Sequence, residues 1–171
     1  PSRSDLRVQQ SLATALHPVG NSWSRVLDSQ PLALATDGQR IAFVLWQKGI
    51  YCLNADSSEI WRSPPPVWSE VSNMPRGDET VCMSFHDSEL HIWCAAGGRL
   101  VLDANDGTIL RSEKVDLDAV IENVYWDSKH ELVCSNNGEA FHLSDNLLRL
   151  QTNITGPIQN AIWDSESDAW R

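Results

Sequence analysis

Three groups of residues carry the kinds of side chain that do chemistry. In His86-x4-His91 a tight hairpin would bring two imidazoles together, with Asp87 and Glu89 beside them. A divalent metal would need a third convergent ligand, and surface histidines are the plainer reading. The run Asp103-x-Asn105-Asp106-Gly107 has the oxygen-rich start of a calcium loop. Glycine stands where such a loop needs a ligand, so the run reads as a turn of residues that tolerate left-handed backbone. Glu113, Asp116, Asp118 and Glu122 form an acidic group. Clustered carboxylates suit the acid–base work of a hydrolase, against the competing reading of a solvated loop. No Ser–His–Asp arrangement, glycine-rich phosphate loop or dinucleotide fingerprint is present.

Cys52, Cys82, Cys94 and Cys134 form no CxxC pair, which argues against a zinc site. All fall in segments that read as strands, where a free buried thiol is the default. A disulfide between Cys82 and Cys94 across one hairpin is the alternative in an oxidising compartment. Six of the eight tryptophans fall into two sets. Trp126 and Trp163 recur at matching places, as do Trp46 and Trp93, and recurrence argues for packing. Trp23 and Trp68 stand outside any recurrence and read as exposed contact residues.

The elements that must position these residues come from a repeat. Residues 32–63, 80–112 and 121–152 read as three copies of one unit, and 157–171 begin a fourth. Asp37, Asp87, Asp127 and Asp164 mark a first turn. Gly49, Gly98 and Gly138 mark a second. Each unit divides into four short strands, with Asp37-Gly38 a strong hairpin signal because both residues accept positive φ. Repeats of this size and content predict an all-β fold: a β-propeller or partial propeller of about three and a half four-stranded antiparallel blades. Residues 1–31 are an extension outside the repeat, in which a short helix from Ser4 to Leu16 and a closing strand near Trp23 are both readable. The extension would close a four-bladed ring, or else the chain would be part of a longer propeller; the second is the expectation.

Residues 64–79 form an insertion with Pro64, Pro65, Pro66 and Pro75. Proline cannot donate to a strand ladder, so this is a loop, and a long loop on a rigid scaffold is where binding concentrates. Its Trp68, Glu70, Met74, Arg76 and Asp78 are the expected partner-binding residues.

The segments Tyr51-Cys52-Leu53-Asn54-Ala55-Asp56 with Ile60-Trp61, and Leu100-Val101-Leu102-Asp103-Ala104-Asn105-Asp106-Gly107-Thr108-Ile109-Leu110, resemble quinoprotein-type (PQQ-like) propeller repeats. That family's unit has an apolar strand, an alanine, a turn often holding glycine, and a tryptophan that docks between blades. The pattern is split here: the first unit has the tryptophan without the turn glycine, and the second has the reverse. The resemblance implies the architecture and not the cofactor. WD repeats are the rival class, although Trp126-Asp127 and Trp163-Asp164 fall at the first turn, where that signature does not put them.

A net charge of −10 argues against nucleic acid or an anionic membrane surface as the main partner. No apolar run approaches the ~20 residues of a membrane helix. No signal peptide is read, but the chain begins with Pro1 and not Met, so the terminus does not give the compartment; a cytoplasmic location is only slightly favoured. The sequence therefore reads as a non-catalytic scaffold without cofactor, binding another protein or associating with itself through open blade edges. The alternative is a fragment of a propeller enzyme, a quinoprotein oxidoreductase or a carbohydrate-active hydrolase.

Overall fold

The computed structural model describes residues 25–68, 77–115, 117, 119–127, 129–144, 147–150 and 158–171. Three four-stranded antiparallel sheets follow one another along the chain, each with its strands in sequence order. The first holds β1 (Pro31–Thr36), β2 (Arg40–Leu45), β3 (Gly49–Asn54) and β4 (Glu59–Ser63). The second holds β5 (Thr80–His86), β6 (Glu89–Cys94), β7 (Gly98–Asp103) and β8 (Ile109–Lys114). The third holds β9 (Ile121–Asp127), β10 (His130–Ser135), β11 (Ala140–Ser144) and β12 (Leu147–Leu150). A two-stranded ribbon follows, β13 (Trp163–Asp164) with β14 (Ala169–Trp170). Of the fourth unit begun at 157–171, only Trp163–Asp164 and Ala169–Trp170 form a ladder among the described residues. The helix read from Ser4, and Trp23, lie outside the described residues.

The sheets pack face to face, which explains the unbroken apolar runs. The central strands β2 and β6 are covered on both sides, so they lack the polar alternation of a half-exposed strand. Ala42, Val44, Ile50 and Cys52 of the first sheet meet Leu90, Ile92, Leu100 and Leu102 of the second in one core. Trp93, on the opposite face of the second sheet, packs with Ile121, Val124, Val133 and Leu143 of the third. Strand β1 lies beside β5, and β5 beside β9, so the first strands of successive sheets meet.

Strand pairing corrects the repeat alignment by one residue. The pair Phe43–Tyr51 corresponds to Ile92–Leu100 and to Val133–Phe141. On that register His86 shares the position of Asp37 and Asp127, and Asp87 falls one place later. The positive-φ glycines of the second turn are Gly49 (φ 129°), Gly97 (φ 87°) and Gly138 (φ 85°); Gly97 matches Gly138, and Gly98 matches Gly49. Trp93 aligns with Val44 and Cys134, so it is not the counterpart of Trp46, and Cys134 is not the counterpart of Cys94.

The two halves of the split tryptophan pattern complete each other across a sheet boundary. The buried indole of Trp61 donates to the Ala104 carbonyl at 2.9 Å. Its ring lies over Gly107, where a Cβ would fall 2.6 Å from Cε3. Alanine, glycine and tryptophan are thus one docking joint shared by the first and second sheets. The last strand of the second sheet opens on Ile109 and Leu110, which are exposed, and no such joint with the third sheet is present among the described residues.

Candidate functional site

The start of the proline segment roofs a cleft of about 700 Å³ between the first and second sheets. Leu32, Val44 and Leu45 form its apolar floor; Trp46, Pro65, Pro66, Trp68, Asp78 and Glu79 belong to its rim and walls. Trp46 sits just past β2. Its backbone is held on both sides: its N–H donates to the Gln30 carbonyl at 2.9 Å, and its own carbonyl accepts from Ser29 Oγ at 2.7 Å. Its side chain is nevertheless 55% exposed. Val67 beside the cleft is 86% exposed. A large apolar side chain on a pinned backbone is a preorganised contact, since little order remains to be lost on binding.

The expected contact residues divide. Asp78 is exposed and lines the cleft. Trp68 lines it too, but is half-buried and packs on the core between the first two sheets. A Cβ on Gly98 would fall 2.7 Å from its ring, and its Nε1 has no hydrogen-bond partner among the described residues. The reading of Trp68 as a freely exposed contact is thus corrected: lying outside the repeat did not keep it off the core. Glu70, Met74 and Arg76 lie outside the described residues. Trp46 was missed because it follows an apolar strand and seemed to match Trp93, which is fully buried. Its place one residue beyond the strand was the available signal.

A second constellation lies between the second and third sheets, and sequence reasoning did not assemble it. Arg99 of β7 and Glu131 of β10 are both buried and ion-paired, and Arg99 also reaches Glu113 at 2.7 Å. His91 contacts Glu131 Oε1 through Nδ1 at 3.3 Å and Glu89 through Nε2 at 2.9 Å. Arg111 bonds Glu89 at 2.7 Å. Glu131 stands where the other sheets have Ile41 and Leu90, and Arg99 where they have Ile50 and Ala140. Charges therefore replace apolar pairs at this boundary. The expected approach of His86 and His91 is present, with ring centres 4.8 Å apart. Burial, and then the neighbouring His91, pull the His86 pKa below its ordinary value. Among the described residues no group of three or more His, Cys, Asp or Glu side chains is arranged to hold a metal ion.

The four cysteines are free, and the Cys82–Cys94 bridge is not formed. A register shift at the start of β5 sets Cys82 opposite Trp93 and Cys94 opposite Thr80. Burial pushes the thiols of Cys52 and Cys134 up to about 11, that of Cys82 up to about 12, and that of Cys94 upward. The thiolate is the reactive form, so native cysteines should react slowly with Ellman's reagent at pH 8, and all four at once in urea. A fast-reacting thiol in the folded protein would contradict this burial.

No protein-family model matches the chain, and no curated protein matches it. Solved structures do match in fold. BamB from Moraxella catarrhalis superposes with a TM-score of 0.52 at 11% identity, over 72% of this chain and 37% of BamB. The WD40 domain of Neurospora crassa Pan2 does so with a TM-score of 0.52 at 14% identity, over 71% of this chain and 35% of that one. The computationally designed Ika4 protein matches with a TM-score of 0.56 at 12% identity, over 85% of this chain and 84% of its own. Identities this low speak for fold alone. BamB and the WD40 domain are β-propellers, and the chain has the sheet architecture of a propeller or partial propeller. The likeness is to propellers as a class and does not single out quinoprotein-type repeats.

Proposed function

We propose that this chain is a non-catalytic propeller scaffold that binds another protein, at the cleft beside the proline segment. The observation that carries the reading is Trp46: a half-exposed indole on a pinned backbone, at the mouth of an apolar cleft. The favoured partner is a segment with one apolar anchor flanked by lysine or arginine. Asp78 and Glu79 border the cleft, and the chain's net charge of −10 attracts such a partner and steers its approach. Trp68 holds the cleft wall and Asp78 contributes charge.

The test is binding of arrayed peptides carrying a central Leu, Phe or Trp between basic residues. Trp46→Ala should weaken the bound peptides about 10-fold or more, with an unchanged melting temperature. Trp68→Ala should lower the melting temperature as well, because its ring packs on Gly98 and the core. Failure of every peptide to bind, or binding indifferent to Trp46→Ala, would overturn the reading. Light scattering over a concentration series separates a second copy of the chain as the occupant: concentration-dependent dimers abolished by Trp46→Ala would replace the peptide partner.

A further inference from the structure

We propose that the cleft between the second and third sheets binds a small, neutral, hydroxyl-rich ligand of monosaccharide size. The cleft has a volume of about 370 Å³ and is lined by His86, His91, Arg99, Trp126 and Glu131 together with their charged neighbours. That is a volume typical of small-molecule sites. Five polar atoms in its lining residues are buried without a hydrogen-bond partner among the described residues: Arg99 Nε, Trp126 Nε1, His86 Nε2, His130 Nδ1 and Glu131 Oε2. A buried polar atom left without its bond is costly, so five at one cleft is a heavy concentration of unmet demand.

The chemistry of those atoms selects the ligand class. Arg99 Nε and Trp126 Nε1 are donors, Glu131 Oε2 is an acceptor, and His86 Nε2 and His130 Nδ1 take either role by tautomer. A hydroxyl both donates and accepts, and neighbouring hydroxyls on one ring present both roles at short range. Two of the three lining cations are answered from within, Arg99 by Glu131 and Glu113, and Arg111 by Glu89; the third, Lys129, shares the lining with Asp87 and Asp127. A phosphate or an ammonium would therefore meet a lining in which neither sign of charge is in clear excess. The Trp126 and His86 rings lie 5.9 Å apart and tilted by 48°, offering apolar faces to the C–H side of a sugar ring. Binding requires the lining side chains to turn their unpaired atoms toward the ligand.

This site is distinct from the Trp46 cleft, which lies between the first and second sheets, so the two proposals stand or fall separately. The test is saturation-transfer NMR on the full chain with methyl α-glucoside, methyl β-galactoside and myo-inositol as probes. Ring-proton saturation by at least one probe is expected. Trp126→Phe, which keeps an aromatic ring and removes the donor, should weaken it about 10-fold. Trp46→Ala should leave it unchanged. No transfer to any of the three probes, or transfer indifferent to Trp126→Phe, overturns the proposal. Tighter binding of sulfate or of arginine ethyl ester at the same residues would overturn the neutral ligand class.

Discussion

Truncating Trp61 to alanine is expected to cost about 3–5 kcal/mol, the range for removing a buried aromatic ring. Against a total stability of about 5–15 kcal/mol, that is enough to leave the first two sheets barely joined. The loss has two sources. The ring vacates a space between sheets that close packing cannot refill, and the Ala104 carbonyl loses its indole donor. Trp61→Phe separates them, since it keeps most of the ring and drops the hydrogen bond, with an expected cost nearer 1 kcal/mol from that bond. Gly107→Ala attacks the same joint from the other side. Its Cβ would lie 2.6 Å from the indole, and a φ of 76° is strained for alanine. Urea denaturation of the three variants and of Trp61→Phe/Gly107→Ala decides the matter. A Trp61→Ala cost below about 1 kcal/mol, or full additivity of the pair, would mean that the joint does not hold the sheets together.

The second large effect is expected at Glu131. Glu131→Ala leaves Arg99 buried beside an empty position, and breaking a buried pair from one side costs about 3–5 kcal/mol. The repeat itself supplies the control. Leu90 occupies Glu131's position in the second sheet, and Ile50 occupies Arg99's in the first. The double variant Glu131→Leu/Arg99→Ile should therefore be far more stable than Glu131→Ala, and near the parent. Glu113 then loses its cation, but its side chain is 33% exposed and water can take over; His91 keeps Glu89. Equal losses in the single and double variants would mean that the charged cluster itself stabilises the boundary. A nearly neutral Glu131→Ala would mean that the cluster is already hydrated and loosely held.

The four-stranded antiparallel sheets were legible because turns and strands are local events. Asp37-Gly38 closes a hairpin through its own backbone: the Asp37 carboxylate accepts from the N–H groups of Gln39 and Arg40 at 2.9 and 2.6 Å. Ile41 to Leu45 is apolar throughout, and a strand covered on both faces reads that way in any context. Register was less legible. Asp87 looked like Asp37 and Asp127, but strand pairing depends on which apolar side chains meet across the ladder, and that moved the match to His86.

The sequence by itself determined the all-β class, the four-stranded antiparallel units and a tryptophan pattern split between the first two of them. Each follows from turn propensity or from the spacing of apolar residues within a few positions. Only the tertiary structure decided what each face meets. It packed Trp68, half-buried, against Gly98 and left Trp46 exposed, in contrast to the roles that their places in the repeat suggested. It brought Trp61 onto Gly107, and it gathered His91, Arg99 and Glu131 from three strands in two sheets. The physical reason is the same each time. A side chain's direction along a strand is set locally, but whether it ends in core, cleft or solvent depends on the neighbouring sheet, whose residues lie 43 positions away in the chain for Trp61 and 32 to 40 for Glu131.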